Sequence, residues 1–305
     1  ANGVRVDSGA TVYLNGNTYE SYNTGQNGIS NAGTIYVGNT TKEIFKFINN
    51  YNNNNAIIND GTANIWGFDV TLNGWYNNGI RNTSNGTLTF VGTSSLPDSI
   101  IINGWRNNGV NTANGVTFQN GSSSSFTVNG SENNGIYKTG GDAVFNQGSG
   151  TTFTVSGNNN NGIFAETAGD ITFNNGANPK FNISGNNNNG IFNKTGDLTV
   201  NDGTFKINGG YYNNGILVTT GTQKAYDNNF EISGSANAGV VSTGGALTFE
   251  TTNNDISTVK FKDIAANNHS TNLVGVYVTN AGTNTVKNYN FTDEGTTSNS
   301  TGVYV

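Results

Sequence analysis

Residues 190–215 decide the fold. They read Gly190-Ile191-Phe192-Asn193, then Lys194-Thr195-Gly196; Asp197-Leu198-Thr199-Val200, then Asn201-Asp202-Gly203; and Thr204-Phe205-Lys206-Ile207-Asn208, then Gly209-Gly210-Tyr211-Tyr212-Asn213-Asn214-Gly215. Each run alternates apolar and polar side chains, the period of a β-strand. The Gly, Asn and Asp between the runs are turn residues. Nothing between them has a helical period. Three strands this short cannot cover each other's apolar sides, so the cover must come from another copy of the same unit.

The copies are present. Asn-Asn-Gly-Ile/Val recurs with its glycine at Gly79, Gly109, Gly135, Gly162, Gly190 and Gly215, and Gly28, Ala56, Gly239, Gly275 and Gly302 fill the slot in looser copies. The intervals run from 23 to 36 residues and average about 27. Self-similarity at this period marks a solenoid. Stacking the copies aligns like with like: Ile29 through Val303 in one column, Leu88/Phe90 through Leu247/Phe249 in a second, Phe126/Val128 through Phe230/Ile232 in a third. The expected fold is all-β, a right-handed parallel β-helix (β-solenoid) with three strands per coil and 10–11 coils. The handedness follows the crossover preference of parallel strands. At a strand spacing of about 4.8 Å the rod is on the order of 50 Å long. One domain over 1–305 is expected, with 1–27 a degenerate N-terminal coil and 263–273 a longer loop that carries His269. The Asn-Asn before each glycine reads as a turn device that tolerates left-handed φ. Asn78, Asn108, Asn134, Asn161, Asn189 and Asn214 are expected to bond side chain to side chain as a ladder.

Composition agrees with such a rod. The 305 residues include 60 Asn and 43 Gly but only 68 Leu, Ile, Val and Phe. That is close to the apolar poverty of disordered chains, yet the net charge is only −6. Half of each solenoid strand faces outward, so a low apolar fraction suffices. Zero Cys removes disulfide scaffolds, thiolate metal sites and cysteine nucleophiles. A single His removes paired-imidazole metal sites. The dispersed basic residues and a pI near 4.7 speak against a nucleic-acid binder. No run approaches the roughly 20 apolar residues of a membrane span. With no Met in the chain, Ala1 is expected to open a mature or excised segment of a larger protein.

Catalytic signals are weak. Polysaccharide hydrolysis on such a rod needs clustered carboxylates, and a lyase needs a cationic base beside calcium-binding carboxylates. Arg5, Arg81 and Arg106 sit in no acidic column. Asp142, Asp170 and Asp197 do form a column, which reads either as turn caps, the favoured reading, or as a weak calcium site. No catalytic residue, cofactor or metal is expected.

One feature does not serve the fold. The turn Gly-x-x-Asn-Asn-Gly holds small or polar residues at its variable positions in most copies, such as Asn158/Asn159 and Ser235/Ala236. Three copies carry Trp75/Tyr76, Trp105/Arg106 and Tyr211/Tyr212 instead. Just past the inward Ile runs an outward column that includes Arg81, Tyr137, Phe164, Phe192, Tyr277 and Tyr304. Aromatic faces with interspersed cations suit sugar rings and their carboxylates. The candidate ligand-binding residues are therefore Trp75, Tyr76, Arg81, Trp105, Arg106, Tyr137, Lys138, Tyr211 and Tyr212.

These Asn/Gly/Thr-rich three-strand coils with Asn-Asn-Gly-Ile, no Cys and no Met resemble the binding regions of serine-rich repeat adhesins of lactobacilli, within the pectate-lyase-like right-handed β-helix superfamily. The resemblance implies an extracellular, cell-wall-anchored adhesin of a Gram-positive cell. Its binding region would recognise host mucin-type or pectin-like acidic glycans without catalysis, in a pH-dependent way. A polysaccharide lyase or hydrolase of the same fold, and a self-associating module for cell aggregation or biofilm, are the alternatives. The expected partner is a glycan or glycoprotein, with weak self-association, no nucleic acid and no membrane insertion.

Overall fold

The computed structural model describes residues 2–47, 52–252, 257–264, 269–279 and 282–305. Its strands fall into three parallel sheets of 12, 11 and 11 strands, and every strand pairs with its copy one coil away. This is the expected right-handed β-solenoid of about eleven coils. Among the described residues there is no helix.

The register matches the columns read from the sequence. In the first sheet, whose strands open on the Asn before the repeat glycine, Ile80 pairs with Ile57 and Val110, and Ile163 with Ile136 and Ile191. In the second, Phe118 pairs with Phe90 and Phe145. In the third, Phe153 pairs with Phe126 and Phe181. All of these side chains are buried. The phenyl rings stack along the rod, with centroids 4.4 Å apart for Phe118/Phe145 and 4.8 Å for Phe181/Phe205. Each buried Phe contributes roughly 1.5–3 kcal/mol. Residues 2–21 supply the first coil, with strands Asn2–Val6, Thr11–Leu14 and Thr18–Ser21.

The glycine after Asn-Asn is required by close approach. A Cβ at Gly135 would sit 2.5 Å from the carbonyl oxygen of Gly162 in the next coil. The asparagine ladder is present: Asn108 donates its side-chain amide to Asn78 at 3.1 Å, Asn134 to Asn108 at 2.9 Å, Asn161 to Asn134, Asn189 to Asn161 and Asn214 to Asn189, each at 2.9 Å.

Beside it runs a second, fully buried ladder that the sequence reading missed. The backbone N–H of Asn107 donates to the side-chain oxygen of Asn133 at 2.7 Å, that of Asn133 to Asn160, and that of Asn160 to Asn188. Each of these asparagines also returns its amide to turn carbonyls, as Asn133 does to Gly104 and Asn129. A buried turn N–H left unpaired is costly, and this first Asn of the pair removes that cost in coil after coil.

The left-handed residue is not in the Asn-Asn pair, as the sequence reading had it, but immediately before it. Tyr76, Arg106, Glu132, Asn159, Asn187 and Tyr212 have φ between 53° and 57°. The pair itself is held by the two ladders, so the chain reverses one residue earlier. The longer loop lies where the spacing put it. Twelve residues separate strand Ser257–Phe261 from Val274–Val278, against five between Asn229–Ile232 and Ala238–Ser242. Residues 265–268 of that loop lie outside the described residues.

Candidate functional site

The turn that joins the third sheet to the first aims its two variable side chains outward. The first continues the pairing of the rod: Trp75 bridges to Trp105, Trp105 to Ser131, and Ser131 to Asn158. The second is the left-handed residue. Its backbone kink turns Tyr76, Arg106 and Glu132 toward the outer face of the first sheet. Identity at this position is not dictated by the fold, since Asn, Ala, Glu, Arg and Tyr all occupy it.

Trp75, Tyr76, Trp105 and Arg106 form one cluster, as expected. The rings meet edge to face, with Trp75 6.0 Å and Tyr76 5.4 Å from Trp105. The Arg106 guanidinium lies over the Trp105 ring at 4.2 Å and donates to the Tyr76 hydroxyl at 3.1 Å. It also pairs with Glu132 of the next coil at 2.6 Å. That pairing holds the Glu132 carboxyl below the usual carboxylate range, helped by the Trp105 side chain, and raises Arg106. The cluster stays open to solvent; Trp75 is 51% exposed.

The edge-to-face geometry matters for recognition. Phe164 and Phe192 stack nearly parallel at 5.0 Å, as do Tyr13 and Tyr36 at 4.6 Å. Such columns turn their ring faces toward each other and only their edges outward. The tryptophan cluster has no such parallel column: Trp75 and Tyr76 stay largely exposed, and the Trp105 ring is capped by Arg106.

Beside the cluster lies a groove of about 560 Å³ on the outer face of the first sheet, lined by Tyr76 and Arg106 but by neither tryptophan. One wall is the left-handed series of Tyr76, Arg106, Glu132 and Asn159. The half-buried ladder of Asn108, Asn134 and Asn161 forms the floor, and Tyr137, Phe164 and Glu166 form the other wall. The Tyr137 hydroxyl donates to Glu166, and burial, then that carboxylate, push the Tyr137 phenol up to about 12. Glu132, Glu166 and the amide floor were absent from the sequence reading. Glu132 could have been found there, because it stacks opposite charge on Arg106 in the same turn slot.

Four candidates stand elsewhere. Lys138 is a correction: it is not a groove residue but fully buried. It lies two positions past Ile136, hence on the inward side of the strand. Its ammonium donates to the carbonyls of Gly169 at 2.7 Å, Ala168 at 3.1 Å and Thr167 at 3.4 Å. Burial lowers its pKa. Arg81 is exposed in the outward column of Tyr137, two coils before it, with Asn111 between. Tyr211 and Tyr212 occupy the tryptophan turn slot four coils beyond Trp105.

The acidic column behaves as turn caps. The Asp142 carboxylate accepts the N–H of Asp170 at 2.8 Å, Asp170 that of Asp197 at 3.0 Å, and Asp197 that of Thr222 at 2.8 Å. Among the described residues no three acidic or His side chains are grouped so as to hold a metal ion.

In comparisons with known proteins no family model, no curated protein and no solved structure matches this chain.

Proposed function

We propose that this chain is the ligand-binding region of a cell-surface adhesin that holds a carbohydrate in the groove beside Trp105, without turning it over. The observation that carries the reading is the solvent-open Trp75/Tyr76/Trp105 cluster, locked by the Arg106–Glu132 pair and continuous with a floor of amides. Rings supply stacking for C–H faces; amides supply donors and acceptors for hydroxyls. The adhesin context rests on the resemblance of the coils.

The charges favour an uncharged glycan over the acidic one that the resemblance implies. Two carboxylates, Glu132 and Glu166, line the groove. Arg106 is already paired, and Lys138 is buried away from it. A uronate would meet repulsion. Binding rather than turnover is supported by the state of one carboxylate. Glu132 is held ionised by Arg106, so it is not the protonated acid that glycoside cleavage needs.

The test is a glycan array followed by titration with the Trp105→Ala/Arg106→Ala variant. Affinity for the best glycan should drop at least about tenfold. Thermal midpoint should move by no more than about 2 °C, since both side chains lie on the surface. Unchanged binding by the variant, or tightest binding to polygalacturonate, would count against this reading.

A further inference from the structure

The first sheet's outer face carries two parallel rows along the rod. One is the amide ladder, continuous from Asn108 to Asn214, half-buried along its length and buried at Asn189. The other is the outward column Tyr137, Phe164, Phe192 and Leu217, in register coil by coil. Over four coils a row of amides thus runs beside a row of apolar side chains. The groove described above covers only the first two of these coils. The rows continue past it to Asn214 and Leu217.

There the turn slot becomes aromatic again. Tyr211 and Tyr212 are 58% and 63% exposed, and Tyr212 has the same left-handed φ, 56°, that aims Tyr76 at the face. Between the two aromatic turns the slot holds Ser131/Glu132, Asn158/Asn159 and Asn186/Asn187. Resting on the carbohydrate reading of the groove, we infer that Trp75–Trp105 and Tyr211–Tyr212 are the two ends of one binding track that takes a linear, uncharged oligosaccharide laid parallel to the rod axis.

The dimensions fit. Five coil steps of about 4.8 Å separate Trp75 from Tyr211, roughly 24 Å, the reach of roughly five sugar rings in an extended chain. The strip is narrow, one apolar row and one amide row wide. That suits a single polymer chain better than a protein surface, whose stable interfaces bury about 800 Å² per partner. Each extended sugar ring advances by about one coil, so successive hydroxyls meet successive amides.

The experiment compares dimers with hexamers from linear β-1,4-glucan, β-1,4-mannan, β-1,4-galactan and β-1,3-glucan, titrated calorimetrically. Wild type and the Tyr211→Asn/Tyr212→Asn variant are tested in parallel. Asparagine is what the two preceding coils carry at both positions, so the variant keeps residues that this slot already accepts. In at least one series the hexamer should bind about tenfold or more tighter than the dimer. The variant should erase that gain, bringing the hexamer down to the affinity of the wild-type dimer. A hexamer no tighter than its dimer, or a gain that survives the variant, overturns the track while dimer binding still upholds the groove. No binding in any series overturns both. Concentration-dependent dimerisation that the variant abolishes would assign the strip to a second copy of this chain and overturn the track as well.

Discussion

The turn at Gly104–Gly109 and the turn at Gly157–Gly162 have the same backbone. Both have a left-handed residue at φ 53–56° and a left-handed glycine at 87°, and both use the same buried asparagine bond to the next coil. One displays Trp105 and Arg106; the other displays Asn158 and Asn159. The difference shows that scaffold and surface are separable at this edge. The inner Asn holds the reversal whatever the two outer residues are. A tryptophan beside an arginine here is therefore tolerated by the fold and not demanded by it.

The strongest way to break this comparison is to attack the part the two turns share. Asn133→Ala removes the acceptor for Asn107 N–H and the donor for the Gly104 and Asn129 carbonyls. Loss of about 3–5 kcal/mol is expected in denaturant unfolding. Asn188→Ala in the all-asparagine stretch should cost about the same. A cost several-fold smaller at Asn188 would mean that the aromatic turns need the ladder more, and that surface and scaffold are coupled.

A smaller effect is expected at Lys138, where the two stretches differ inside. Lys138→Met strips the donor from three buried carbonyls. A loss of about 1–3 kcal/mol is expected, with oligosaccharide affinity unchanged. Reduced affinity at full stability would return Lys138 to the binding surface.

The smallest expected effect, counted per pH unit, sharpens the comparison by pH. Asp98 opens the strand that leads into the Trp105 turn, and it is fully buried. It accepts from Phe68 N–H at 3.0 Å and from the Ser124 hydroxyl at 2.9 Å. Burial pushes its carboxyl up to about 8, against hydrogen bonds and Lys42 that lower it. A carboxyl raised in the folded state favours its neutral form. Its contribution is complete below the unfolded value near 3.8 and is lost as pH climbs to and through about 8. Stability should fall by no more than about 1.4 kcal/mol per pH unit between pH 5 and 8. Asp98→Asn should flatten that slope. A slope that persists in the variant would place the titrating group elsewhere.

Much of this architecture was legible because a solenoid repeats its own evidence. The inward Ile, Phe and Val columns are fixed by period-two alternation, and the Asn78–Asn214 ladder by the repeat itself. What escaped has physical reasons. Lys138 was assigned by its chemistry rather than its parity, although Asn82, Thr112 and Asn193 hold the same inward slot with polar groups turned to turn carbonyls. The buried ladder escaped because the two asparagines of each pair are identical in sequence. Only their position relative to the reversal makes one an inner brace and the other a surface amide. The groove escaped because its walls come from a turn and a strand of different coils, brought together by the left-handed kink.

From Asn54 to Asn237 the inner asparagine finds its partner in the neighbouring coil, at the equivalent position. A duplicated coil therefore arrives with its own brace, and so does the coil it displaces. The rod can lengthen or shorten by whole coils through unequal recombination without a compensating change elsewhere. Because the large aromatic side chains occupy variable slots in only a few coils, such events would move, copy or separate the aromatic turns. The spacing between them is a heritable ruler that selection can adjust one strand width at a time.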